Sequence, residues 1–404
     1  MTDLVELEIE APAHGGHCVA RHEGRVVFVR HTLPGETVRA RLTESGDDAR
    51  FWRADAVEVV EASRDRVDSA WPEAGPGGVG GGELAHVSLA GQRAWKLSVL
   101  RESFERFAGR AYEGDVLPVP AALGRAEDES SGLRYRTRVT AVADGEGRAS
   151  MHLHRSRETR PLASMPLASA ALEEALVSGR FPARSRIAMA ESSTGELRVV
   201  ADGVPWRAGK LDRRPNAPRA VTETVSVGER TWTFRVDAAG FWQVHRDAPA
   251  VLVSEVLDRV GDAERVADLY SGAGLLSVPL ADSGREVIAI ESDADGARAA
   301  RRNAHETPSL RVIHADVRNT LAEGIGTLDA VVLDPPRSGA GGATIAALAG
   351  TEAQRIVYVA CDPVALARDV ALLAQHGYEL ENAQAIDLFP MTHHVETLAT
   401  FERR

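Results

Sequence analysis

Cysteine is almost absent from this chain of 404 residues, which holds only Cys18 and Cys361. A zinc site, an iron-sulfur cluster or a disulfide framework draws on closely spaced cysteines. Two distant thiols supply none of these, so any metal cluster would have to be held by other residues. Each thiol therefore has to be considered by itself.

Long apolar runs are also missing, since no stretch approaches the ~18 residues that a membrane span needs. The first residues, MTDLVELEIEAP, show neither the basic start nor the apolar core of a secretory signal. With 44% hydrophobic and 26% charged residues, the composition is typical of a globular protein of two or three domains. We predict a cytoplasmic monomer without a membrane partner.

Positive charge is scarce, and the net charge of -12 argues against a nucleic-acid partner. Phosphate binding depends on Lys and Arg side chains, which displace counterions. However, residues 131–160 contain seven Arg against three acidic residues. This local surplus weakens the objection from net charge without removing it.

The pattern along the chain predicts three domains. Residues 1–62 alternate apolar and polar positions between Gly and Pro turns, which indicates a small five-stranded β-barrel. Such a barrel either binds RNA or packs on its own chain. A Gly- and Pro-rich stretch at 71–82 then precedes a helix, and 63–235 is predicted as a central α+β, β-rich domain that contacts RNA. Residues 236–404 alternate strand and helix, which predicts an α/β, doubly wound Rossmann-like sheet.

The segment DLYSGAGLLSVPLA is typical of the first strand, turn and helix of a nucleotide-binding sheet. Gly272 and Gly274 would let a cofactor approach the backbone, and Asp268 would organise the turn. A Gly-x-Gly turn is also found as a purely structural feature, so the motif alone leaves both interpretations open.

Four acidic residues end successive predicted strands: Asp268, Glu291, Asp316 and Asp334. Ligands of such sheets bind outside the carboxyl ends of the strands, so these acids converge on one crevice. A pyrophosphate would be repelled there, whereas S-adenosylmethionine carries a sulfonium and an ammonium group. The crevice therefore favours methyl transfer over hydride transfer.

Cys361 follows the fifth predicted strand, IVYVA, beside the same crevice. A lone cysteine is commonly an inert core residue, but a thiolate is also suited to adding to carbon 6 of uracil, which activates carbon 5 for methylation. The reaction then needs a base to remove the proton from carbon 5, and Glu396 is a candidate. Gln243 either points its amide at the cofactor or packs with Phe241 and Trp242.

At these positions the chain resembles the uracil-5 RNA methyltransferase family along nearly its whole length. The motifs that carry the resemblance are FWQVHRDAP, DLYSGAGLLSVPLA, ESD, LDPPRSG, YVACDP and DLFPMTHHVETLA. The N-terminal strands also resemble the small RNA-binding barrel called TRAM, which precedes many members of the family.

The resemblance implies methyl transfer from S-adenosylmethionine to carbon 5 of a uridine in tRNA or rRNA. It implies that Cys361 is the nucleophile, that Glu396 is the base and that Arg337 lies near the target base or orders its loop. The cofactor would be held by Gln243, Tyr270, Gly272, Gly274, Glu291, Asp316 and Asp334.

The chain departs from the family pattern at two places. Several members have four cysteines that bind an iron-sulfur cluster, whereas this chain has Val79, Gly81 and Gly82 in the Gly-rich segment and Met165 in the later triplet. We therefore expect no cluster, and we expect the segment to keep its shape by packing. The second departure is His245, where the family more often has Asn, and we expect function to survive it.

Three other functions are compatible with parts of the sequence. One is an RNA-binding protein without activity, which the presence of Cys361 and Glu396 disfavours. Another is an exocyclic-amine methyltransferase, which needs no cysteine. The third is a small-molecule methyltransferase with the N-terminal half as a lid. No metal is expected at His393 and His394, because adjacent side chains diverge.

Overall fold

The computed structural model describes residues 4–46, 48–120 and 131–404. The first domain is a closed barrel with the strand order β1-β2-β3-β5-β4. Its strands are β1 (Leu4–Ala13), β2 (His17–His22), β3 (Arg25–Arg30), β4 (Thr37–Glu44) and β5 (Trp52–Glu61).

Alternating burial explains the barrel. Val27 and Val29 of β3 point inward, as do Val38 and Ala40 of β4, while the residues between them face outward. Small side chains such as Ala54 let a barrel of few strands close around its core. The predicted five-stranded barrel is confirmed.

The segment after the barrel contains a 3-10 turn at Pro72–Ala74, helix α1 (Leu89–Ser103), a π-helical turn at Phe104–Ala108 and strand β6 (Val116–Leu117). Helix α1 begins at the N-cap Ser88, whose side chain accepts a hydrogen bond from Gly91 N at 3.1 Å. Leu100, Phe104 and Val116 belong to the core of the C-terminal sheet. The predicted central domain, 63–235, thus includes a segment that packs on the C-terminal domain.

Strands β7 to β13 form the central seven-stranded sheet, in the order β13-β12-β11-β10-β7-β8-β9, with helix α2 (Ala170–Ser178) inserted after β9. Its strands are β7 (Arg138–Ala143), β8 (Ala149–His152), β9 (Thr159–Pro161), β10 (Arg186–Glu191), β11 (Leu197–Ala201), β12 (Val204–Arg207) and β13 (Lys210–Leu211). A separate hairpin follows, β14 (Ala220–Val227) with β15 (Arg230–Asp237). Trp232 and Phe234 of this hairpin lie in the same core as Leu252 of the C-terminal domain.

The C-terminal domain contains an eight-stranded sheet with the order β18-β17-β16-β19-β20-β22-β21-β6. Its remaining strands are β16 (Arg265–Leu269), β17 (Glu286–Glu291), β18 (Leu310–His314), β19 (Ala330–Leu333), β20 (Arg355–Ala360), β21 (Tyr378–Ile386) and β22 (Glu396–Arg403). Its helices are α3 (Ala248–Val260), α4 (Ser277–Asp282), α5 (Ala294–Asn303), α6 (Val317–Glu323), α7 (Gly342–Ala349) and α8 (Pro363–Gln375). The predicted Rossmann-like class is confirmed.

One strand of this sheet departs from the parallel pattern. β22 runs antiparallel to both of its neighbours, β20 and β21. A parallel neighbour would require a crossover connection of a dozen or more residues, but only residues 387–395 separate β21 from β22. The chain therefore turns back after β21, and β22 lies between β20 and β21, both of which run in the direction opposite to its own.

Apolar side chains fill the space around the Gly-rich segment that contains Val79, Gly81 and Gly82. Trp71 is 0% exposed and packs in one cluster with Val79 and Met165. A Cβ atom added at Gly82 would lie 2.9 Å from Trp71 Cε3 and 2.8 Å from Ala74 Cβ. The indole thus occupies the space beside Gly82, and this set of side chains offers no ligand that fits an iron-sulfur cluster.

Within the described residues, the helices are all too short or too polar to cross a membrane.

We expect Trp71→Ala to lower the free energy of unfolding by about 3 to 5 kcal/mol, because it leaves a large cavity. Gly82→Ala is expected to cost about 1 to 3 kcal/mol by overpacking against the indole. Urea unfolding measures both. Gly145→Ala is the matched control, since its added Cβ meets nothing within 4 Å. Equal stability of the Gly82 and Gly145 variants would contradict this account of the packing.

Candidate active site

The candidate site lies at the carboxyl ends of β16, β17, β19 and β20. β16 pairs in parallel with β17 on one side and with β19 on the other, and the chain order reverses between them. A crevice opens at such a switch point, and ligands of open α/β sheets bind there. Of the four predicted strand ends, those at Asp268, Glu291 and Asp334 belong to β16, β17 and β19 at this crevice, whereas the one at Asp316 follows β18.

The turn after β16 has the backbone shape that brings a cofactor close. Gly272 and Gly274 have φ angles of 55° and 90°, in the left-handed region that favours glycine. A Cβ atom at Gly274 would lie 3.6 Å from Ala300 Cα, so the turn also packs closely on α5. Tyr270 adopts φ 63° without being glycine, and this strained conformation directs the chain into the turn.

The Glu291 carboxylate fixes this turn from the neighbouring strand. One oxygen accepts a hydrogen bond from Gly272 N at 2.7 Å, and the other accepts one from Asp293 N at 2.6 Å. Each carboxylate oxygen keeps a second lone pair. Glu291 can therefore hold the turn and still accept a hydroxyl from a ligand.

A small cavity joins the turn to the segment before α3. Gln243 Nε2 donates a hydrogen bond to Asp334 Oδ2 at 3.3 Å across this cavity. The side chain of Phe241 is 72% exposed at its edge. The cavity is lined by Phe241, Trp242, Gln243, Leu252, Asp268, Tyr270, Ser271, Gly272, Ala273, Leu275, Leu276 and Asp334.

Three of the predicted cofactor residues, Gly274, Glu291 and Asp316, are not part of this lining. Glu291 holds the turn through Gly272 N. Gly274 stands behind the turn against α5. Asp316 is exposed and caps α6, where Asn319 N donates to its carboxylate at 2.9 Å. The structure therefore gives Asp316 a capping role and does not place it in the cavity.

Burial raises the pKa of the two acids in the cavity. Asp268 is 1% exposed, and burial raises its pKa to about 7, although Ser277 donates a hydrogen bond to it. Burial likewise raises the pKa of Asp334 to about 7, while the bond from Gln243 opposes the shift. At neutral pH, each of these two carboxyls is therefore protonated in only part of the molecules. A cation bound in the crevice would stabilise their charged form.

Cys361 and Glu396 face each other at the end of the β20–β22 pair. Ala360, the last residue of β20, is the register partner of Thr397, and extending this register by one residue puts Cys361 opposite Glu396. Glu396 is 2% exposed, and its Oε1 has no hydrogen-bond partner among the described residues. The sheet thus holds an unsatisfied carboxyl beside a partly exposed thiol.

Both groups hold their protons in this environment. Burial and the nearby Asp334 raise the pKa of Glu396 well above its ordinary range. Burial first, and then Glu396 and Asp334, raise the pKa of the Cys361 thiol to about 12, whereas Arg337 acts in the opposite direction. The exposed Arg337 is therefore close enough to act on the thiol electrostatically.

The barrel contacts the loop of Cys361, which no sequence pattern predicted. Asp362 caps α8 by accepting hydrogen bonds from Val364 N and Ala365 N at 3.0 and 2.8 Å. His14, in the β1–β2 turn, contacts the other Asp362 oxygen through Nε2 at 2.7 Å. The Asp-Pro sequence signals the cap, but no pattern links positions so far apart in the chain.

The histidines singled out in the sequence pack away from the cavity. His245 stacks on Tyr135 with ring centroids 5.0 Å apart, and its Nδ1 accepts a hydrogen bond from Asp247 N at 3.1 Å. His393 lies 3.6 Å from Glu83, and its ring centroid is 4.1 Å from that of His394. Across 4–46, 48–120 and 131–404, no group of three or more His, Cys, Asp or Glu side chains is arranged to hold a metal ion.

Comparison with known proteins identifies the family. A TRAM domain model matches residues 3–57, and a model described as tRNA (Uracil-5-)-methyltransferase matches residues 325–404. An RNA methyltransferase of Bifidobacterium longum is 41% identical, covering 98% of this chain and 96% of its own. A 23S rRNA (uracil(1939)-C(5))-methyltransferase of Shewanella sp. strain MR-4 is 30% identical over 96% of this chain and 93% of its own. The chain belongs to the uracil-5 RNA methyltransferase family.

A solved structure supports the fold of this family member along its whole length. The tRNA (uracil-54, C5)-methyltransferase of Pyrococcus abyssi, solved with S-adenosyl-L-homocysteine, aligns with a TM-score of 0.68. It is 21% identical, and the alignment covers 98% of this chain and 100% of that one. The resemblance read from the motifs and the enzyme class that it implied are confirmed by the family assignment.

The raised pKa of Asp268 predicts how stability depends on pH in this methyltransferase. Its folded pKa lies above the ordinary value of 3.8, so its contribution to stability is fully present below that value and is lost as pH rises through about 7. The whole shift corresponds to on the order of 4 kcal/mol. We expect Asp268→Asn to flatten the fall in unfolding free energy between pH 4 and 8, measured by urea unfolding. Asp258→Asn, on the exposed face of α3, is the control; the same slope in both variants would contradict the assignment.

Proposed function

We propose that this protein transfers a methyl group from S-adenosylmethionine to carbon 5 of a uridine in tRNA or rRNA through a covalent adduct with Cys361. The observation that carries the proposal is the register of β20 and β22, which sets Cys361 opposite Glu396 beside the acidic crevice. Relatives of this chain are named for rRNA and for tRNA substrates. Cytoplasmic location and the monomeric state remain predictions.

The residues of the crevice fit the methyl donor. When bound, S-adenosylmethionine supplies an electrophilic methyl group on a sulfonium cation. Leu252, Leu275 and Trp242 provide apolar walls for a nucleobase, and Glu291 offers lone pairs to ribose hydroxyls. Asp334 and Gln243 provide a carboxyl and an amide at the edge that leads to Cys361. Tyr270 and Gly272, which line the same cavity, and Gly274 behind it are also assigned to binding of the methyl donor.

Cys361 begins the reaction on the RNA. Its sulfur adds to carbon 6 of the uracil, and the π electrons move toward carbon 5 and the carbonyl oxygen on carbon 4, so carbon 5 becomes nucleophilic. The thiol is only partly buried, so its proton can leave through the open side of the cleft to water. The exposed Arg337 favours the thiolate electrostatically.

Glu396 ends the reaction. After carbon 5 has been methylated, the Glu396 carboxylate removes the proton from carbon 5. The C5–C6 double bond then re-forms, and the bond between carbon 6 and the Cys361 sulfur breaks. Glu396 and Asp334 lose their protons more readily beside a cation. Binding of the sulfonium therefore shifts both carboxyls toward their basic form before the methyl group is transferred.

The target uridine has to leave any helix that contains it. A base stacked in a duplex cannot reach a thiol in a cleft, so the substrate is a loop nucleotide or a flipped nucleotide. The TRAM barrel stands beside this entrance, because His14 of its first turn touches Asp362. RNA contact by the barrel and the central domain is part of the proposal.

Substitution of the two facing residues tests the chemistry. We expect Cys361→Ala to abolish methylation while the affinity for S-adenosylmethionine stays nearly unchanged, because the thiol acts on the base. We expect Glu396→Gln to accumulate a protein–RNA adduct that survives denaturation, because addition and methyl transfer precede proton removal. Denaturing gels and calorimetry measure the two results. Loss of cofactor affinity in Cys361→Ala, or normal turnover in Glu396→Gln, would contradict the assigned roles.

Binding of the donor is also expected to release protons near pH 7, since Asp334 has a pKa of about 7 and a sulfonium lowers it. Calorimetry in buffers of different ionisation enthalpy measures this release. S-adenosylhomocysteine, a neutral thioether, should release fewer protons, and Asp334→Asn should reduce the difference between the two ligands. Equal proton release with both ligands in the unsubstituted protein would exclude this coupling.

A further inference from the structure

The loop before Glu396 has few hydrogen bonds of its own, among them those from Thr392 N and Oγ1 to Phe389 O at 3.2 and 3.0 Å. Residues 387–395 connect β21 to β22 without a helix or strand. Met391 within it has φ 66°, a left-handed conformation that costs a non-glycine residue free energy. Such a loop keeps one conformation only if other parts of the chain hold it.

Two buried side chains of α1 contribute to that support, as do Tyr135, whose hydroxyl donates to Pro390 O at 3.0 Å, and Leu84, whose N–H donates to Met391 O at 2.9 Å. Lys96 Nζ donates to Asp387 Oδ1 at 2.5 Å and to Phe389 O at 2.9 Å, and the Lys96 side chain is 0% exposed. One turn earlier on the same face, Gln92 is also 0% exposed. Its Oε1 accepts a hydrogen bond from Met391 N at 2.7 Å, and its Nε2 donates to Val87 O at 2.9 Å.

The charged pair is a costly way to join a helix to a loop. Removing an ammonium and a carboxylate from water carries a desolvation penalty that an apolar pair of similar volume avoids, so replacement by apolar residues is often neutral or stabilising. What an apolar pair cannot supply is direction, because Lys96 joins the carboxylate of Asp387 and the carbonyl of Phe389 at fixed distances. The pair therefore specifies where the loop runs.

We propose that Lys96 and Gln92 are positioning residues for Glu396, and that they set the rate at which carbon 5 is deprotonated. Neither residue lines the cavity, and both lie on α1, which is joined to the loop by the Lys96–Asp387 ion pair and by hydrogen bonds. Cys361 follows β20 and is not part of this loop, whereas Glu396 is the residue at which the loop enters β22. A displaced loop therefore shifts the Glu396 carboxylate more than the thiol. The inference rests on the proposed covalent mechanism.

The test is a comparison of Lys96→Met with Lys96→Met/Asp387→Leu in the full chain, using an RNA substrate and S-adenosylmethionine. Both variants remove the charge-directed contacts, but the second also removes the unpaired buried carboxylate. We expect kcat to fall by on the order of tenfold or more, with the KM values for RNA and donor nearly unchanged. Because proton removal is the slowed step, the denaturation-resistant adduct should accumulate in both.

A matched control separates positioning from stability. Arg66→Met breaks another buried ion pair, with Glu36 in the barrel, far along the chain from the loop. It should lower the melting temperature without accumulating adduct. Gln92→Met, which removes the bond to Met391 and keeps the volume, should accumulate adduct like the Lys96 variants.

Distinct outcomes address the two proposals. If Glu396→Gln traps no adduct and the unsubstituted protein makes no 5-methyluridine, the proposed function fails. If both are observed and the double variant is folded but turns over without excess adduct, only the positioning role is overturned. Failure of both Lys96 variants to fold would also overturn it, in favour of a purely structural role for the pair.

Discussion

The antiparallel pairing of β22 with β20 is the interaction on which the rest of the site depends. It sets a carboxyl that is 2% exposed opposite the thiol that ends the neighbouring strand. Oε1 of Glu396 has no hydrogen-bond partner among the described residues, and burial raises the pKa of both groups, so both hold their protons. A base and a nucleophile are kept close together in a state that becomes reactive when a cation and a substrate enter.

The acidic crevice extends this constraint across the sheet. Asp268 and Asp334 share the raised pKa that burial imposes, whereas Glu291 has both oxygens engaged by backbone N–H groups of the turn. The arrangement is unfavourable for an anionic ligand and favourable for a sulfonium. The buried carboxyls lower the stability of the protein without ligand, and they favour binding of a cationic donor. Strongly perturbed pKa values are common at functional sites for this reason.

Much of this could be predicted from the sequence because the information is local. Strands that end in Asp, Glu or Cys within an alternating strand and helix pattern predicted both the sheet and the residues at its edge. Asp316 shows the limit of that argument: an acid just after a strand also caps the next helix, and here it does so. The direction of β22 and the packing of α1 on the C-terminal sheet depend on contacts between distant segments. So do the His14–Asp362 and Lys96–Asp387 contacts, for which no periodicity provides a signal.

The Gly-rich segment shows how a local substitution is compensated. The family resemblance implies cysteines in this segment for several members, whereas this protein fills it with the indole of Trp71 against Val79 and Met165. Gly82 makes room for that ring. The expectation that packing shapes this segment agrees with the buried cluster, and the absence of a metal cluster remains a prediction for the isolated protein.

The most direct measurement of the central claim is nucleoside mass spectrometry of RNA incubated with this protein and S-adenosylmethionine labelled in its methyl group. The substrate should be separated tRNA and rRNA from a strain that lacks the gene, so that the target uridine is unmodified. The account predicts label in 5-methyluridine, in one RNA class. Label in another nucleoside, or in no RNA although the donor binds, would contradict it.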